Sequence, residues 1–233
     1  YWSFMPWIMR KYVWDATGDD SFLIGHPTGI LSMVSGFVAK RVGNKEKSTE
    51  DLKVPENLSF FREISITGAL VMFLMNIVVG IIAPVLVPEG GNLVMFAVEA
   101  GLNFGAGLLI MLYGVRLLIN QIIPAFQGIA EKVVPGAKPA FDVPILFNYR
   151  PNAVIIGFIV AMITSTILVI IVNTTNVFGI LIVPLVITSF FECGGAAVIG
   201  EGQGGLRGAV IGTIAASFVM VLLVGVSAVL FST

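Results

Sequence analysis

Charge is scarce in this 233-residue sequence: 12% of its residues are Asp, Glu, Lys or Arg, against about 25% in an average soluble domain. The net charge is −1, and the 13 basic residues form no stripe that could follow a phosphate backbone, which excludes nucleic-acid binding. With one cysteine, Cys193, there is no internal disulfide. No CxxC pair or histidine-rich tract suggests a metal or cofactor, so Cys193 reads as a small packing residue. Histidine occurs once, at His26. What remains is apolar: 57% of residues are hydrophobic and the mean hydropathy is +0.98. A soluble core would break that content into short runs. Here the runs are long enough to cross about 30 Å of hydrocarbon, so the fold expected is an all-α integral membrane protein.

Four runs read as transmembrane helices. Ile64 to Val87 carries no charge and ends at Pro84, Pro88 and the Gly90-Gly91 pair. Leu93 to Ile119 is interrupted by Glu99 and ends near Arg116. It carries Gly101 and Gly105 at the spacing that lets helices approach closely, although glycine merely tolerated in lipid fits the same pattern. Ala153 to Val172 and Ala209 to Phe231 are charge-free. Between these last two, the apolar stretch Phe178 to Phe191 gives way to ECGGAAVIGEGQGGLRG. That is too short for a crossing and suits a re-entrant hairpin with a flexible glycine tip.

Two stretches are polar or irregular. Ala39 to Glu63 mixes six basic with five acidic residues and has a capping-box pattern from Ser48 to Asp51, so a solvated loop with a short helix is expected, on the cytoplasmic side. Gln121 to Pro151 starts amphipathic, then meets four prolines and Gly136, which predict broken backbone. At membrane depth such backbone survives only where protein buries it or a watery cavity receives it, and carriers build solute sites from these breaks. The N-terminal Tyr1 to Lys11 reads as the aromatic and basic end of an apolar segment that starts upstream. The expected organisation is therefore residues 1–21 as that helix end and its loop, 22–63 as a re-entrant turn and polar loop, and 64–120 as two transmembrane helices. The broken segment occupies 121–151, and 152–233 holds the remaining helices and the hairpin.

Few polar residues are placed to do chemistry. His26 sits in the turn-prone Gly25-His26-Pro27-Thr28-Gly29 between apolar runs, as a ligand for a polar solute, as a histidine satisfied by a neighbouring carbonyl, or as a phosphohistidine. Asp142, flanked by apolar residues and Pro144, would cost on the order of 2.5–3.5 kcal/mol at mid-bilayer if unpaired, which calls for a ligand or a partner such as Arg150 or Lys138. Glu99 and Glu192 are further candidates at membrane depth, Glu192 at the re-entrant tip. Arg116 reads as snorkelling from a helix end. The Gly200 to Gly205 stretch matches GxGxxG in letters alone: no strand precedes it, so a dinucleotide site is rejected.

Several motifs in order carry a family resemblance. They are Tyr1-Trp2, Phe22-Leu23-Ile24-Gly25-His26, the run Lys45 to Pro55 (KEKSTEDLKVP), Gly114-Val115-Arg116, Ala125 to Ile129 (AFQGI), Pro135-Gly136-Ala137, Phe141-Asp142 and Pro151-Asn152-Ala153-Val154. Together they resemble the membrane (IIC) component of the ascorbate-type sugar phosphotransferase system, over nearly the whole chain. The resemblance implies a homodimeric helical carrier in the bacterial inner membrane, surrounded by lipid, with an N-terminal half beyond this sequence. Uptake of a sugar acid would be coupled to phosphorylation by cytoplasmic IIB and IIA phosphocarriers, the phosphoryl group coming from a cysteine of IIB. His26 and Asp142 match the family's solute-binding histidine and aspartate, Asp142 also orienting the accepting hydroxyl. Where the pattern places glutamines after the histidine, this chain has Pro27 and Thr28. Only the Thr28 hydroxyl remains as a solute contact there, and a related sugar acid or a polyol stays open beside ascorbate. A proton-coupled secondary transporter and a non-transporting membrane subunit are the alternatives.

Overall fold

The computed structural model describes residues 4–27, 29–52, 63–82, 84, 87 and 90–231. They fall into two compact units, Lys53–Ile119 on the one hand and Tyr1–Leu52 with Asn120–Thr233 on the other.

In the first unit, α3 (Ile64–Ile82) packs against the beginning of α4 (Leu93–Lys132). A Cβ on Gly101 would lie 2.7 Å from Ala69 O, and one on Gly105 would lie 2.9 Å from Ser65 O, so both glycines are needed for the backbone contact. Away from that seam the helices show apolar side chains outward, with Leu102 66% and Ile110 73% exposed. The second helix differs from its sequence expectation. It does not end near Arg116 but continues through Pro124 to Lys132, because one missing N–H is tolerated in a long apolar helix. The chain loses helical form only after that, in the segment of four prolines.

The other unit starts with α1 (Phe4–Thr17), followed by the two-residue strand β1 (Leu23–Ile24) and α2 (Gly29–Val42). After α4 come β2 (Ala140–Phe141), a 3-10 helix (Val143–Asn148) and α5 (Pro151–Thr175). A single turn, α6 (Val186–Thr188), runs into a π-helical turn (Ser189–Cys193) and α7 (Gly194–Phe231). Pro151 occupies the first turn of α5, where no N–H is required, and Asn176 ends it with a left-handed φ of 52°. Asn173 then folds the next segment back by exchanging two hydrogen bonds with the Ile182 backbone, at 2.8 and 3.0 Å. Leu31, Ala161, Val169, Cys193, Ala196, Ala216 and Met220 form the core between α2, α5 and α7. Cys193 is fully buried there, 3.8 Å from Met220 Sδ, in the packing role expected of it.

Among the described residues four helical stretches are long and apolar enough to span a membrane: Ile64–Ile81, Leu93–Phe126, Pro151–Thr175 and Val186–Phe231. The last does not run straight. Gly204 and Gly205 leave helical geometry, Gly205 at φ 59°, and the chain folds back so that a Cβ on Gly200 would lie 2.7 Å from Gly208 O. Any side chain on Gly205 would also collide with the Asn44 and Lys47 carbonyls, so only glycine fits. The all-α membrane architecture stands, with one short parallel bridge added.

The polar loop departs from expectation as well. Residues 44–52 form turns and no helix, and residues 53–62 lie outside the described set. The Ser48 N–H does donate to Asp51 Oδ2 at 3.0 Å, as in a capping box. Thr49, however, is fully buried, because its hydroxyl and that of Ser48 turn to Glu201 rather than to water.

Candidate functional site

Three breaks in helical structure meet in the larger unit, and each carries one polar side chain. The parallel bridge pairs Leu23 with Ala140 and Ile24 with Phe141, fixed by Leu23 N–H to Pro139 O and Gly25 N–H to Phe141 O, both 2.8 Å. That register delivers His26 and Asp142 just beyond the paired residues. Asp142 caps the 3-10 helix, Oδ1 accepting from Val143 N at 2.8 Å. Glu192 comes from the π-helical turn, an irregularity that recurs at functional sites.

Aromatic packing holds these pieces together. Phe22 lies 5.8 Å from both Phe141 and Tyr149, bracing the bridge. Phe147 on the 3-10 helix meets Phe190 edge-on at 5.4 Å and stacks on Phe191 at 6.1 Å, so the element capped by Asp142 is locked to the turn that carries Glu192. Any Cβ on Gly195 would collide with Val143, so the small residue lets the 3-10 helix come this close.

His26 lies between two carboxylates. Its Nε2 is 3.4 Å from Asp142 Oδ1, and its Nδ1 is 3.2 Å from Glu192 Oε2. Of the two carboxylates, Glu192 acts the more strongly on the ring, through both hydrogen bonding and charge. A neutral imidazole has only one N–H, whereas acceptors face both ring nitrogens here, so the imidazolium is the form that suits the site. His26 lies outside the four apolar stretches. Partial burial pulls its pKa down, but Glu192 and then Asp142 outweigh that, and the imidazole is held above its ordinary 6.5. The His26 and Glu192 side chains are 19% and 11% exposed, while Asp142 is 68% exposed and so offers its carboxylate outward.

The other partners considered for Asp142 are engaged elsewhere. Lys138 binds Asp20 Oδ2 at 3.1 Å and lies 4.5 Å over the Trp14 ring. Arg150 pairs with Glu201 at 3.3 Å and donates to Ala16 O at 2.7 Å. The structure therefore brings together His26, Asp142 and Glu192. Thr28 lies outside the described residues, Glu99 belongs to the other unit, and Arg116 is on the exposed side of α4. Glu192 was visible in the sequence as a buried acid, but its pairing with His26 was not. Glu201, within the glycine-rich tip, carries no functional reading in the sequence pattern alone. The signal that could have marked it is one carboxylate among glycines, for which the hydroxyls of Ser48-Thr49 are natural donors.

Comparison with known proteins bears on the family of the chain. The sequence model of a family described as "PTS system sugar-specific permease component" (EIIC-GAT) matches residues 1–233. The chain is 28% identical over 225 residues to a Mycoplasma pneumoniae protein, "Ascorbate-specific PTS system EIIC component", a match covering 84% of this chain and 34% of the relative. The chain thus spans about a third of that relative's length.

Proposed function

We propose that this chain, which belongs to the EIIC-GAT family of PTS system sugar-specific permease components, supplies the part of a multi-pass bacterial plasma-membrane carrier that binds a sugar acid of the ascorbate type and presents it for phosphorylation. The observation that carries the reading is His26 held between Asp142 and Glu192 where three broken elements converge. The two carboxylates beside the imidazolium offer acceptors for sugar hydroxyls, the imidazolium lowers their net negative charge, and Asp142 is the most open of the three.

In this reading a cytoplasmic IIB protein, recharged by IIA, brings a phosphocysteine to the bound solute. A sugar hydroxyl attacks phosphorus, the O–P bond forms as the S–P bond breaks, and the hydroxyl proton passes to the Asp142 carboxylate. Orientation of the hydroxyl and removal of its proton are the main services a protein can offer such a transfer. The fold-back at Gly204-Gly205 is the tip of a re-entrant hairpin, the apolar outer faces meet lipid, and two copies form the working carrier.

The test uses pH. With its pKa raised, His26 keeps its charge, and the attraction that charge contributes, at and below 6.5; both are lost only as pH rises through the higher folded value. Binding of ascorbate to the full-length protein is expected to fall across that higher window, and Glu192→Gln is expected to move the fall to lower pH. Calorimetric binding curves that fall at the same pH in both proteins would remove His26 from the site.

A further inference from the structure

A second cluster lies away from the solute site and is built around one buried acid. The Glu201 side chain is fully enclosed. Its Oε1 accepts from Ser48 Oγ at 2.5 Å and from Thr49 N at 2.8 Å, with Arg150 Nη1 at 3.3 Å, and its Oε2 accepts from the Thr49 hydroxyl. The surrounding backbone is tied to the same point. Leu206 N donates to Lys47 O at 2.7 Å and Asn44 N to Gly204 O at 2.8 Å, while Asn152 N donates to Glu50 Oε1 at 2.9 Å. The polar loop, the Gly204-Gly205 reversal, the start of α5 and, through Arg150, the end of α1 are thus gathered on one carboxylate.

Its place along the chain gives this cluster a consequence for chemistry. Glu201 is on the first arm of α7, which continues directly from the turn carrying Glu192. Arg150 follows the 3-10 helix that Asp142 caps. The latch therefore joins the far ends of the two elements whose near ends hold His26 from either side.

We propose that Glu201 is a positioning residue: its latch onto Ser48, Thr49 and Arg150 sets the spacing of Asp142 and Glu192 about His26, and with it the solute affinity of the carrier. This rests on the proposed function for its solute readout but not for its spectroscopic one. The experiment takes the full-length protein with Glu201→Gln, Thr49→Val and Thr49→Ser. Loss of one charge-assisted hydrogen bond is expected to weaken ascorbate binding about tenfold or more in Glu201→Gln and Thr49→Val, whereas Thr49→Ser, which retains the hydroxyl, binds like the unaltered protein.

The second readout is the His26 imidazole titration followed by NMR. Its midpoint is expected to fall in Glu201→Gln and Thr49→Val, because Asp142 and Glu192 no longer sit against the ring, and to stay in place in Thr49→Ser. A merely structural role would reduce the folded fraction without moving the midpoint. Unchanged midpoints in folded Glu201→Gln and Thr49→Val overturn the proposal, as does a Thr49→Ser protein that behaves like Thr49→Val. If the unaltered protein binds no sugar acid while the midpoint still shifts, the functional reading fails and the latch stands.

Discussion

Asp142→Asn in the full-length protein is expected to abolish phosphorylation of the transported sugar, with a loss of about 100-fold or more, the usual contribution of a positioned general base. The amide preserves shape and still offers an oxygen to Val143 N, so the 3-10 cap survives. What disappears is the charge beside His26 Nε2 and the capacity to take the hydroxyl proton. Binding is expected to weaken less than turnover, because Glu192 continues to face His26 Nδ1. Parallel measurements of bound ascorbate and of phosphorylated product separate the two effects. Equal losses in both would make Asp142 a binding group alone, and unchanged turnover would remove it from the mechanism.

Arg150→Met is expected to destabilise the larger unit strongly. It leaves the enclosed Glu201 carboxylate without its cation, a change that typically costs about 3–5 kcal/mol. The Ala16 carbonyl loses a donor at the same time. Replacing Arg150 and Glu201 together by apolar residues is expected to restore part of the loss, because no charge is then stranded. Recovery stays incomplete, since the Ser48 hydroxyl and the Thr49 N–H lose their acceptor. Thermal unfolding of the purified variants in detergent checks this, and an Arg150→Met protein as stable as the parent would show that the ion pair contributes nothing.

The helical membrane architecture was legible because uninterrupted apolar length carries most of it. Ile64, Leu93 and the Pro151 region begin helices as their sequence suggests, and Gly101 with Gly105 mark a true backbone approach. His26 and Asp142 stood out for a related reason: a polar group on broken backbone within an apolar chain needs a partner. Each turned out to be the other's neighbour, through a parallel bridge of two residues that no local pattern announces.

Other features escaped because they depend on long-range pairing. Ser48 to Asp51 has a capping-box pattern, yet the Ser48 and Thr49 hydroxyls turn to Glu201, about 150 residues away, and bury part of a loop that composition assigns to water. The span expected to end near Arg116 runs on as one helix through Pro124 to Lys132. Arg150 and Lys138 both looked available to Asp142, and only the packed structure shows them committed to Glu201 and Asp20.

Proteoliposomes test the central claim most directly. They would contain the full-length protein, labelled ascorbate on the extracellular side, and phosphorylated IIB on the other. The account predicts accumulation of a phosphate ester that stops when IIB is omitted, stops in His26→Ala and Asp142→Asn, and continues when a protonophore is added. Accumulation of free ascorbate that needs no IIB and collapses with the protonophore would contradict it and make the chain part of a proton-coupled carrier.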